Sequence, residues 1–208
     1  MARASWAATS TVLFAMSAGA VTAVWSTTCG LRAWTTEEGR RLRVQAKPPL
    51  LSALRLTSSA ATGFVPWGRA DARQRVWLVT FMYTRCPTVC TTLGIEFERL
   101  QRALGSDPRD DRIRLLSISF DPPHDDVHAL QGYASRYHAD PDRWAIAVPA
   151  SASDLHRLEQ ETGIVVIGDG MGGYTHNAAI HVVLGDGRLV RIFSFNEPGA
   201  ALAWARKL

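Results

Sequence analysis

The stretch Val76–Thr92 reads VWLVTFMYTRCPTVCTT. It opens with a run of β-branched, aromatic and other apolar residues, the pattern of a strand buried at the centre of a sheet. Two cysteines, Cys86 and Cys90, follow where the strand should give way to a helix. Pro87 comes just after the first thiol, where a helix can begin without losing a hydrogen bond. A thiol at a helix start ionises readily, and a thiolate is both a nucleophile and a ligand for soft metals. The pair therefore has two candidate jobs.

Outward from this stretch the chain alternates strands and helices. Thr91–Leu104 is predicted as a helix, with Leu93, Phe97, Leu100 and Leu104 along one face. Ile113–Ser119 is the next strand, ended by Asp121-Pro122-Pro123. Asp125 or Asp126 is placed to cap a helix whose inner face is Val127, Leu130, Ala134 and Tyr137. Trp144–Val148 is a third strand, and Ser151 or Ser153 caps a third helix through Leu155 and Leu158. A Gly-rich loop, Gly168–Gly173, leads to strand Ala178–Leu184; the turn Gly185-Asp186-Gly187 then doubles back into Arg188–Phe193. A last helix follows Pro198, carrying Leu202 and Trp204. Such an order implies an α/β sandwich with a mixed central sheet flanked by helices. Chemistry in such sheets gathers at the carboxyl ends of central strands, where Cys86, Cys90 and Asp121 fall.

Composition bounds the rest. The chain has 208 residues, 47% of them hydrophobic, and a formal charge of +4. The positive residues are scattered arginines; the densest group, Arg40, Arg41 and Arg43, has no interleaved aromatics, which argues against nucleic acid as a partner. Three cysteines are too few for a disulfide-stapled scaffold, and Cys29 stands apart without an assigned role. No residue from Ser5 to Thr28 is charged, so residues 1–30 read as a signal peptide or signal anchor. Residues 31–49, Arg-rich and ending in Lys47-Pro48-Pro49, read as a tether, and 50–208 as the main domain. Arg32, Arg40, Arg41 and Arg43 outnumber the positive charges before the apolar segment, which by itself would orient that segment the other way.

With three residues between them, Cys86 and Cys90 come within one helical turn, close enough for a disulfide or for a shared ion. Two thiolates leave a soft cation short of ligands. Of six histidines, His124, His128, His138 and His156 lie in or beside amphipathic helices and read as solvated, while His181 reads as packed within its strand. His176 differs: it follows a loop with four glycines that can carry an imidazole over the cysteines. From its residues alone it is equally an ordinary loop histidine.

The segments FMYTRCPTVCTTL, SISFDPPHD and GYTHNAAIHVVLGDGRLV, in that order, resemble the SCO/SenC family of copper-handling proteins. The resemblance covers roughly Leu50 to the end. It implies a thioredoxin-like domain tethered to the bacterial inner membrane, with the main domain on the periplasmic side, and this outweighs the charge count. It implies that Cys86, Cys90 and His176 bind one copper ion. It further implies partners: a copper donor protein, and the cytochrome c oxidase subunit carrying the copper A centre, metallated directly or through reduction of its cysteines. Departures from the family pattern are Thr88 and Thr91 around the second cysteine, where an acidic residue and a proline are common. Thr175 stands where an Asp usually precedes the ligand histidine, and Asn177 where Ser or Thr follows it. The missing carboxylate removes a partner that would orient the imidazole. Asp121 matches the family's Asp-Pro, and it is equally a turn former.

The alternative on the same fold is a thiol–disulfide oxidoreductase or thiol peroxidase using the Cys86/Cys90 pair. Three intervening residues, instead of two, and His176-Asn177 in place of a proline before the later strand both favour metal handling. Thr84 and Arg85 keep the peroxidase reading open, since a peroxidase places a Thr and an Arg near its reactive thiol. A third class is a sensor or interaction domain that has kept only the fold.

Overall fold

The chain divides into two units, Met1–Ala46 and Lys47–Leu208. The computed structural model describes residues 2–28, 30–70, 74–87, 89–105 and 107–208, so Cys29 and Thr88 lie outside the described residues. In the first unit, α1 (Ala2–Thr27) exposes Phe14, Met16, Val21 and Trp25. Its Ala, Ser, Thr and Gly content keeps it weakly apolar; among the described residues no helix is long and apolar enough to cross a membrane. Within the stretch expected as a tether lies a second helix, α2 (Thr36–Ala46). It is started by a reciprocal cap. Thr35 Oγ1 accepts the Glu38 N–H at 3.1 Å, while the Glu38 carboxylate accepts the N–H groups of Trp34 and Thr35. Glu37 then pairs with Arg40 and Arg41 one turn on, at 2.7 and 3.1 Å.

In the second unit the elements run β1 (Leu56–Ser58), β2 (Gly63–Phe64), β3 (Val76–Met82), α3 (Val89–Ala103), β4 (Ile113–Ser119), α4 (Val127–Arg136), β5 (Trp144–Pro149) and α5 (Ala152–Thr162). They continue through β6 (Val166–Gly168), β7 (Tyr174–His176), β8 (Ala179–Leu184), β9 (Leu189–Ser194) and α6 (Pro198–Ala205). One seven-stranded sheet has the order β2-β1-β5-β4-β3-β8-β9, and β6-β7 forms a separate hairpin. Strands β3, β4 and β5 are parallel; β1, β2, β8 and β9 add antiparallel pairs at the flanks. The sheet is thus mixed and flanked by helices, as the alternating pattern implied. Every residue of β3 is buried, which its unbroken apolar run required. Strand register brings two loops together: β3 pairs with β4 from Val76–Ile113 to Met82–Ser119, so the segments after both strands leave from adjacent points.

Asp126 caps α4 by accepting the Ala129 N–H, and Ser151 caps α5 by accepting that of Asp154, one of the two candidates in each case. The first helix after the cysteines starts at Val89, two residues earlier than expected, which places Cys90 within it. Gly94 of α3 admits the ring of Tyr137 so closely that a Cβ there would lie 2.4 Å from it. The Gly-rich loop is the larger difference. It is not only a connection: it is the turn of hairpin β6-β7, and His176 ends the second strand. Strands this short carry too few alternating residues to stand out in the sequence.

Candidate metal centre

Beyond Met82 the chain makes a tight turn, Cys86 N–H bonding the Tyr83 carbonyl at 3.2 Å. Cys90 lies in the first turn of α3 and its N–H donates to Cys86 Sγ at 3.4 Å. The Cys86 sulfur therefore sits over the amino-terminal end of a helix, where amide donors and the helix dipole favour negative charge. Both cysteines are buried and no disulfide joins them. For Cys90 the expectation of a readily ionised thiol fails. Burial, reinforced by a hydrogen bond with Cys86, pushes its pKa well above the usual thiol range.

The third expected residue is brought in from the hairpin. His176 Nε2 stands 3.8 Å from Cys90 Sγ, although 86 residues separate them in sequence. Bonds of about 2.3 Å to sulfur and about 2.0 Å to nitrogen, meeting at a trigonal angle, would set two such ligands about 3.7 Å apart. The imidazole packs edge-on against Phe120, ring centres 5.1 Å apart. Burial lowers its pKa to about 4, so at neutral pH it is uncharged and one ring nitrogen keeps a lone pair. Nδ1 is buried without a hydrogen-bond partner among the described residues, consistent with the absence of an acidic residue at Thr175. Asn177 is engaged elsewhere: it accepts the Val165 N–H at 2.7 Å and donates to the Gly163 carbonyl, tying the hairpin to the end of α5. Among the described residues, no three His, Cys, Asp or Glu side chains stand in a ready-made metal cage. What converges is two pairs sharing Cys90: sulfur beside sulfur, and sulfur beside imidazole.

Around them lies a support that the sequence did not announce. Asp125, offered by the sequence as a cap, is fully buried and accepts from Thr84 N at 2.9 Å, Thr84 Oγ1 at 2.6 Å and Ser119 Oγ. It fastens the cysteine turn to the loop after β4. Asp121, also buried, accepts from Arg85 Nη2 at 2.9 Å and the Tyr174 hydroxyl at 3.3 Å, and its Oδ1 lies 2.8 Å from His124 Nδ1. Burial alone would raise the Asp121 pKa, but hydrogen bonds with His124 and Arg85 overcome it and hold the carboxyl below its usual range. His124, expected as a solvated residue, is thus half-exposed and bound to Asp121. Tyr83 Oη accepts the Tyr174 N–H at 3.2 Å, and the rings of Tyr83, Phe120 and Tyr174 pack on one another at 5.2 to 5.6 Å. Their only sequence signal was position, each lying one or two residues from a strand end or a candidate ligand. Of the other histidines, His181 packs edge-on against Phe81, while His128, His138 and His156 are exposed, as expected.

The family model for SCO1/SenC matches residues 65–207. A SCO1 protein homolog of Bacillus subtilis (strain 168) is 27% identical over 121 residues, 57% of this chain. The match covers 62% of that relative, so the chain spans less than two thirds of its length. The crystal structure of a SCO1/SenC family lipoprotein from Bacillus anthracis str. Ames superposes with a TM-score of 0.68 at 20% identity, covering 78% of this chain and 97% of that one. Bradyrhizobium japonicum ScoI, solved with copper bound, superposes with a TM-score of 0.61 at 22% identity, covering 76% and 98%. The mixed α/β fold is that of solved Sco proteins, and the family match runs through the cysteine turn, the Asp121 loop and the histidine hairpin: the chain belongs to the SCO1/SenC family.

Proposed function

We propose that this chain is a copper-binding assembly factor that holds one copper ion through Cys86, Cys90 and His176. In this reading it supports metallation of the copper A centre of cytochrome c oxidase, by delivering the ion or by readying the receiving thiols. The observation that carries it is the approach of a neutral, half-buried imidazole to Cys90 of a buried thiol pair across 86 residues of sequence. Two sulfurs and one nitrogen are the soft donor set that Cu(I) prefers. Copper here is cargo. Cys86 and Cys90 would receive it by giving up their thiol protons, and His176 would contribute its lone pair without any proton release. A ligand on a short hairpin suits release as well as capture.

The proposal includes a thioredoxin-like domain lying on the outer side of the bacterial inner membrane, in contact with a copper donor protein and the oxidase subunit. The stretch of α1 from Ser5 onward, without a charged residue and with exposed apolar side chains, supports a signal or anchor segment.

The second reading is a thiol–disulfide oxidoreductase. The Cys90 N–H at Cys86 Sγ favours it, because that contact stabilises a thiolate on Cys86. A peroxidase has less support, since Thr84 and Arg85 spend their hydrogen bonds on Asp125 and Asp121.

A Cu(I) titration of the reduced full chain against a chromogenic chelator tests the first reading. One ion per chain is expected, with binding abolished in Cys86→Ser or Cys90→Ser. His176→Ala should weaken binding by more than the roughly ten- to hundredfold that loss of an outer-shell partner costs. Equal uptake by the double cysteine variant overturns the proposal. Insulin reduction that survives His176→Ala would transfer the assignment to the redox reading.

A further inference from the structure

At the amino-terminal ends of β3, β4 and β5, the pole opposite the cysteines, a cleft of about 250 Å³ opens to solvent. Seven residues of β3 at about 3.3 Å each span about 20 Å, so cleft and thiols stand at the two ends of one strand. Three arginines line it: Arg75 before β3, Arg114 on β4 and Arg143 before β5. The aromatic part of its wall is Phe64, Trp77 and Trp144.

Charge in this cleft is unbalanced. Among the described residues none of the three guanidinium groups forms an ion pair, and Asp142 is the single carboxylate in the lining. Arg114 Nη1 donates to the carbonyls of Asp111 and Ile113, at 2.8 and 2.9 Å, which fixes its plane and leaves its other donors available. Burial, and then repulsion from Arg75 and Arg143, lowers the Arg114 pKa. Trp77 adds a second signal. It is 5% exposed, yet its indole N–H meets no acceptor among the described residues, although most buried donors find one. Like charges gathered together are costly unless a guest answers them.

We propose that this cleft binds a small oxyanion carrying two or more negative charges, held by its arginine side chains. Three guanidinium groups against Asp142 in the lining and Asp111 beside Arg114 leave a net positive charge to be matched. Arginine forks pair with phosphate and carboxylate oxygens in two-point geometry, so the shared chemistry is a phosphate or polycarboxylate group. A cleft of this volume suits a small guest.

Isothermal titration calorimetry of the full chain with inorganic pyrophosphate and, separately, with citrate tests it. One saturable site per chain is expected for at least one probe, and which probe binds decides between the phosphate and the carboxylate source. Binding should weaken at least tenfold in Arg75→Gln and in Arg143→Gln and should fall with added salt. Arg114→Lys should bind with intermediate affinity, and the accompanying fluorescence change should shrink in Trp77→Phe. Arg75 is exposed, so its replacement leaves the fold and copper uptake intact. Absence of saturable heat with both probes, or unchanged affinity in an Arg75→Gln/Arg143→Gln double variant, overturns the proposal.

Discussion

Residues 83–90 leave a fully buried strand paired on both sides, and a buried carboxylate, Asp125, fastens the turn that carries both thiols. Residues 166–176 form a hairpin of three residue pairs, part exposed, whose turn runs through glycines with positive φ at 170 and 172. One half of the candidate centre is thus built into the sheet, while the other is laid over it. The cysteine turn draws on the global stability of the domain; the hairpin can open locally at a smaller cost. On the proposed reading, an ion that must be handed on is better served by one yielding ligand than by three rigid ones.

The contrast between the halves is most open to attack on the rigid side. Asp125→Ala leaves the Thr84 N–H and the hydroxyls of Thr84 and Ser119 without their buried acceptor. A loss of about 3 kcal/mol in urea denaturation is expected, since each orphaned buried group costs about 1–3 kcal/mol. A loss near zero would mean that the turn holds itself. On the yielding side, Tyr83→Phe removes the acceptor of the Tyr174 N–H. About 1 kcal/mol of local protection should disappear from hairpin amides in hydrogen exchange, with the global unfolding midpoint nearly unchanged. A matching fall in global stability would show that hairpin and sheet open together.

The smallest expected effect is in acid. Asp121 joins the two halves through Arg85 and Tyr174, and its folded-state pKa lies below the unfolded value near 3.8. Its contribution is therefore complete above that value and declines as pH falls through the lower folded one. Hairpin protection should hold steady from neutral pH down to about 4 and weaken beneath it. Asp121→Asn should show that weakening already at neutral pH, and a flat acid profile in the parent chain would remove Asp121 as the link.

The sheet was legible from its apolar runs: Val76–Met82 and Ile113–Ser119 begin and end where their patterns do. The caps at Asp126 and Ser151 were among the named candidates because a side-chain acceptor before an amphipathic run is a local signal. Cys86, Cys90 and His176 could be singled out by residue type and by the resemblance. Hairpin β6-β7 could not be read, because three-residue strands around a Gly-rich turn carry no periodicity. Asp125 was misjudged for a related reason: its partners, Thr84 and Ser119, are chosen by the parallel register of β3 and β4, which no local pattern encodes. The helix within 31–49 was masked by its arginines, though Thr35 and Glu38 had the spacing of a cap.

Thr84 meets Asp125 across 41 residues, and Cys90 meets His176 across 86. Contacts so distant along the chain form only after long loops have closed. During synthesis, then, both thiols emerge well before either the carboxylate that positions them or the imidazole that covers them. The newborn polypeptide must pass through an interval in which its sulfurs are open to oxidants and stray metals, and that interval closes only when residue 176 has been made and folded back.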